Sequence, residues 1–106
     1  MSDSFKDREK GFESKFAHDQ ELQFRATARR NRLVGHWAAQ LLGKTGDEVG
    51  AYAVEVVKAD FEEAGDEDVV RKLTADLGSR ADEAAIRAKL TECMAIAKSQ
   101  LMDEIN

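Results

Sequence analysis

Apolar residues recur along most of the chain at steps of three, four and seven, and no stretch alternates in twos for long enough to argue for a strand. From about Glu21 to Leu42, the residues Leu22, Ala26, Leu33, Trp37 and Leu41 share one helix face, and Gly43 and Gly46 break the run (helix about 21–42). A second helix, 47–63, opens at Asp47 as N-cap, carries Val49, Ala53, Val56, Val57 and Phe61 on one side, and stops at Gly65. A third, 66–77, is capped by Asp66, has Glu67 and Asp68 in its first turn where acids favour the helix dipole, and presents Val70, Leu73 and Leu77 before Gly78. The last, about 82–103, starts near Asp82 and Glu83 and aligns Ile86, Leu90, Cys93, Ala97 and Leu101. Short connections favour antiparallel neighbours, so residues 20–106 are expected to form an all-α four-helix bundle.

Residues 1–19 break this pattern. Besides Met1, their large apolar side chains are Phe5, Phe12 and Phe16, set among Lys6, Asp7, Arg8, Glu9, Lys10, Glu13 and Lys15. On a helical wheel the three rings fall within roughly 40° of one another, a narrow stripe. Like charges at i, i+4 (Asp3 with Asp7, Lys6 with Lys10, Glu9 with Glu13) each oppose helix by about 0.2–0.5 kcal/mol, partly offset by i, i+3 pairs such as Lys6 with Glu9. A short helix with so little packing of its own is marginal, so this arm is expected to be mobile until something covers its phenylalanines. The stripe can fold back on the bundle or enter a partner's groove. The charged flanks and the lack of continuity with the later stripes favour the groove.

Composition supports helix and narrows the chemistry. The chain has 106 residues, no proline, one cysteine and a net charge of −5, from 16 basic and 21 acidic groups. That length holds one small domain and excludes large catalytic architectures. No stretch approaches about 20 consecutive apolar residues and the first residues lack the apolar core of a signal peptide, so a cytoplasmic protein without membrane insertion is expected. The charge is split: residues 1–32 hold 8 basic and 6 acidic groups, and the remainder 8 and 15. A mildly basic arm on an acidic body suggests that the arm makes contact and the body positions it.

Few residues suggest a chemical site. Gly43-Lys44-Thr45 resembles the end of a phosphate-binding loop, but the glycine required five positions earlier is Ala38, and a helix precedes it where a strand is needed. His18, beside Asp19, is read as an exposed histidine at a helix start in preference to a pH sensor; His36 has no second ligand at i±4 and Cys93 has no partner, so no metal site is expected. Arg25, Arg29, Arg30 and Arg32 form the densest basic cluster, read either as a solvated face paired with the acidic body or as a contact for phosphate or a partner. Nucleic acid is a poor fit, because the chain is acidic and no aromatic platform interleaves with the arginines.

Five segments go further: Phe5-Lys6-Asp7-Arg8-Glu9-Lys10, Lys15-Phe16-Ala17-His18-Asp19, Ala28-Arg29-Arg30-Asn31-Arg32-Leu33, Trp37-Ala38-Ala39 and the run from Ala59 to Val69. In this order they resemble the zeta inhibitor subunit of alpha-proteobacterial F-type ATP synthases, from Ser4 to about Leu101. The resemblance implies a four-helix protein that blocks ATP hydrolysis by the F1 head, with an N-terminal element that becomes helical on entering the cleft between a catalytic beta subunit and its alpha neighbour, beside the gamma rotor. Carried onto this chain, the element is Ser4 to about Asp19, with Phe5, Phe12 and Phe16 as anchors, Arg8, Lys10 and Lys15 as charged contacts, and Lys6, Asp7 and Glu9 within it. The resemblance also implies a location on the cytoplasmic face of the inner membrane, peripheral through ATP synthase, and no required cofactor. Some members bind ATP or ADP; Arg25, Arg29, Arg30, Arg32 and Trp37 are the candidate contacts here. The free form is expected to be a monomer. Two alternatives stay open: a bundle that senses adenine nucleotide, and a helical adaptor for another partner.

Overall fold

A computed structural model describes residues 4–61 and 65–105. Five α-helices follow in order: α1 (Ser4–Phe16), α2 (Gln20–Leu41), α3 (Asp47–Ala59), α4 (Glu67–Leu77) and α5 (Glu83–Ile105), with one turn of 3-10 helix (Gly78–Arg80) between the last two. Among the described residues there is no strand, so the fold is all-α. Helices α2 to α5 are the four read from the sequence; α1 is the arm, here helical and packed along α5.

Local chemistry sets the ends. Asp19 caps α2, its carboxylate accepting from the Leu22 N–H at 3.1 Å, and Asp82 does the same for α5 from the Ala85 N–H at 2.8 Å. Gly78 closes α4 at φ +57°, a conformation that a side chain would strain. Two end assignments differ from the sequence reading, and a third holds by position only. The cap of α3 is Gly46, at φ +58°, and Asp47 is the first helical residue, using its charge at the dipole's positive end. Helix α3 stops at Ala59 because the Asp60 and Phe61 N–H groups bond three residues back, to Val57 and Lys58, tightening the chain into a turn; residues 62 and 63 of the expected helix lie outside the described residues. Asp66 does cap α4 by position, but its side chain makes no capping bond and is given to Arg30 instead.

The larger core lies where α2, α3, α4 and α5 meet. Val34, Ala38, Tyr52, Val56, Val69, Leu73, Leu77, Ile86, Leu90 and Cys93 are buried there, with Leu33 and Trp37 packed at its edge. Helices α2 and α3 cross closely at Gly35, where an added Cβ would lie 2.6 Å from the Ala53 Cα, so only glycine fits. The buried line of α2 runs through Ala26, Arg30, Val34 and Ala38 with Asn31, Gly35 and Ala39 beside it. This corrects the expected stripe, in which Leu41 is in fact exposed: the true inward line passes through Arg30 and Asn31, which polarity alone disguises. Phe61, expected inward, is 61% exposed because α3 has already ended, and its ring stacks on Phe24 at 5.6 Å.

A smaller cluster forms at the other end of α2. Phe12 is fully buried against Ala26 and Leu101, with Phe16, Leu22, Met94 and Met102 around it. Ala26 and Leu101, which lie on the apolar stripes of α2 and α5, are thus covered by Phe12 of the arm.

Candidate functional site

Two faces of α5 explain how the arm finds a seat. Ile86, Leu90, Cys93, Ala97 and Leu101 point into the bundle as their spacing requires, but Ala95, Lys98 and Ser99 are buried as well. A helix buried on more than one face must have neighbours on more than one side, and the second neighbour is α1. The small side chains at Ala95 and Ser99 let α1 approach, and a Cβ added at Gly11 would sit in ordinary contact, 3.8 Å, from the Met102 side chain.

Charge fixes the register of the arm. The Lys98 ammonium, 91% covered along its side chain, donates to Glu9 at 3.2 Å and also to Glu13. Arg8 reaches the Asp103 carboxylate and donates to the Ser99 carbonyl at 3.4 Å. Gln23 of α2 donates to Glu13 at 3.2 Å and to the Phe16 carbonyl at 3.0 Å, which pins the end of α1 to the start of α2. Two carboxylates on one buried ammonium balance the loss of hydration better than a lone pair would.

The sequence-predicted arm residues divide into two sets. Phe12 is buried, Phe16 is half-buried with its ring 5.2 Å from that of Phe12, and Lys15 holds its ammonium 5.4 Å from the Phe16 ring. Arg8 and Glu9 face α5 through the pairs above. Phe5, Lys6, Asp7, Lys10 and Lys15 are exposed. Phe5 borders a cleft of about 260 Å³ with Lys6, Glu9, Ala88, Thr91 and Ala95, so the first anchor lies over α5 without being buried by it.

The arginine cluster is dispersed. Arg25 and Arg29 lean on Glu104, at 3.9 Å and 2.9 Å, and the bond from Arg29 holds the Glu104 carboxyl below its ordinary range. With exposed Arg32 they line a shallow depression of about 190 Å³ beside Phe24. Arg30 instead turns inward, 3% exposed, donating to the Asn31 side-chain oxygen at 3.0 and 2.8 Å and pairing with Asp66 at 3.0 Å. It ties α2 to the start of α4. Trp37 packs at the edge of the large core with Lys89 over its ring at 5.6 Å, away from that depression's lining. His18 and His36 are both exposed. Burial pushes the Cys93 thiol up, which keeps it neutral in the core. No group of His, Cys, Asp and Glu that could hold a metal occurs among the described residues, and no helix among them is long and apolar enough to cross a membrane.

Sequence reasoning missed Lys98, Ser99, Met94 and Met102, the α5 residues that receive the arm. Their signal was present as an apolar and small-residue content spread around the whole of α5, which a single stripe does not account for.

A family model described as ATPase inhibitor subunit zeta matches residues 1–100 of the chain. A structure determined by NMR in solution is 63% identical, with a TM-score of 0.73; the match covers 78% of this chain and 98% of that one. No curated protein matches.

Proposed function

Because this chain belongs to the ATPase inhibitor subunit zeta family, we propose that its N-terminal arm enters a catalytic alpha/beta interface of F1 as a helix and thereby blocks ATP hydrolysis. Members of an inhibitor-subunit family regulate an ATPase and do no chemistry themselves, so this chain is a regulatory protein and not an enzyme. Its partner is the F1 head, and on this reading alpha and beta form the groove with the gamma rotor beside it. Binding there places the protein peripherally on the membrane face that carries F1.

The observation that carries this reading is the shape of α1. Its anchors form a narrow stripe in which Phe12 is fully buried, Phe16 half-buried and Phe5 45% exposed, while Lys6, Asp7 and Lys10 are exposed. An amphipathic helix that already uses this stripe on α5 has the form required to use it in a groove of similar width. A wedge between subunits that must open and close for rotation stops catalysis mechanically.

Titrating purified F1 with the full-length chain and with a form lacking residues 1–19 tests the proposal. Saturable inhibition of ATP hydrolysis by the first and none by the second is the expected result. Binding of both forms to F1 with no change in hydrolysis would replace it with the adaptor reading.

A further inference from the structure

We propose that the seat of α1 on α5 is an autoinhibitory latch, so that the arm must leave it before it can engage a partner, and that Lys98 is its chief fastening. This rests on the inhibitory reading above and adds its regulation. The argument begins from a conflict of use. Phe12 is fully buried between Ala26 and Leu101 and Phe16 packs half-buried on the same cluster, so the first ring is unavailable to another protein while α1 is seated and the second is open on one side only. Glu9 and Arg8 are engaged too, by Lys98 and Asp103. A helix cannot present one narrow stripe to two grooves at once.

The seat is also built to release. Its fully buried apolar set is Phe12, Ala26 and Leu101, of which two belong to the bundle; Phe16, Leu22, Met94 and Met102 pack around it only partly buried, and ion pairs from Lys98 and Arg8 complete it. Polar contacts of this kind can be taken over by water when the arm lifts, which an interdigitated apolar core does not allow. None of the buried members of the large core belongs to α1. Seated and released states are thus two positions of one arm on an otherwise unchanged body. Apparent affinity for the partner then equals intrinsic affinity scaled by the released fraction.

Substitutions confined to the body separate the latch from the arm. Lys98→Ala removes the ammonium shared by Glu9 and Glu13, Asp103→Asn removes the partner of Arg8, and Lys98→Arg keeps the charge. None alters a residue of α1. Two readouts are made on the full chain. The first, without F1, is the rate of trypsin cleavage after Lys6, Arg8, Lys10 and Lys15. The second is the concentration giving half-inhibition of ATP hydrolysis by purified F1.

For Lys98→Ala we expect arm cleavage about five- to tenfold faster and half-inhibition at a several-fold lower concentration, a smaller change in the same sense for Asp103→Asn, and near-normal values for Lys98→Arg. A thermal melt of each variant that stays cooperative assigns faster cleavage to the arm and not to general unfolding. Faster cleavage with unchanged or weaker inhibition would overturn the regulatory role, and unchanged cleavage would overturn the latch. If the unsubstituted chain does not inhibit F1, the inhibitory reading itself fails, a result distinguishable because the cleavage assay contains no F1.

Discussion

The two apolar clusters of this small protein are built on different terms. The larger draws on four helices and interdigitates Val34, Val56, Val69, Leu73, Leu77 and Ile86, all fully buried. The smaller has Phe12, Ala26 and Leu101 at its centre and is completed by ion pairs from Lys98 and Arg8. Dense apolar packing is lost all at once when disturbed, whereas a contact with one large anchor and exchangeable charges can open locally. The same chain therefore holds an element that stays and an element that can leave.

The largest effect should come from the first cluster. Leu73→Ala removes a fully buried side chain from the middle of the four-helix contact and is expected to cost about 2–5 kcal/mol. For a domain of this size that is a fall in Tm of roughly 10 °C or more, read by circular dichroism. A loss under about 1 kcal/mol would mean that the large core is as loosely held as the small one, and the comparison would collapse.

Phe12→Ala sharpens it. A buried phenylalanine truncated inside a rigid core costs about 3–5 kcal/mol. Here the penalty is capped at the free energy that holds α1 on α5, because the arm can swing away and leave the cavity to water. The expected shift of the main melt is less than half that of Leu73→Ala, accompanied by fast amide exchange confined to α1. Equal shifts for the two substitutions would show that arm and bundle unfold as one unit.

How far these differences were legible beforehand depends on which forces acted. Helices α2 to α5 were readable because their apolar spacing, capping acids and terminal glycines agree, and Val70, Leu73, Leu77, Ile86 and Leu90 lie inside as expected. The arm's outline was legible too, as a phenylalanine stripe among charges. Its seat was not, because long-range partners such as Glu9 and Lys98 lie 89 positions apart and carry no periodic signature. Arg30 was misread for the opposite reason: its local context is a basic run that favours the surface, and only Asp66 and Asn31 show why the interior accepts it. Phe61 failed on a matter of length, since α3 ends two residues before the ring could turn inward.

The smallest effect concerns charge within the staying region, near the turn between α2 and α3. Tyr52 donates to Asp76 at 2.7 Å and Lys72 donates to the same oxygen at 3.0 Å, with Glu55 on the other side of the ammonium at 3.2 Å. Burial pushes the Asp76 carboxyl up, but the two hydrogen bonds and the Lys72 charge outweigh it and leave it below its ordinary value. An acid held low in the folded state stabilises above its unfolded pKa of about 3.9, and that contribution is lost as pH falls through the folded value. At the alkaline end the signs reverse. Burial, with the bond to Asp76, holds the Tyr52 hydroxyl up, so the fold is opposed once pH exceeds the ordinary phenol value of about 10. Lys72 is also held up, and its contribution is lost as pH rises through its folded value. Asp76→Asn should therefore lower stability at pH 7 by under about 1 kcal/mol, since the carboxylate is one-third exposed and screened. It should also flatten the loss of stability below pH 4 and leave arm cleavage unchanged. An Asp76→Asn protein whose arm becomes labile would link the two regions and remove the division on which the latch depends.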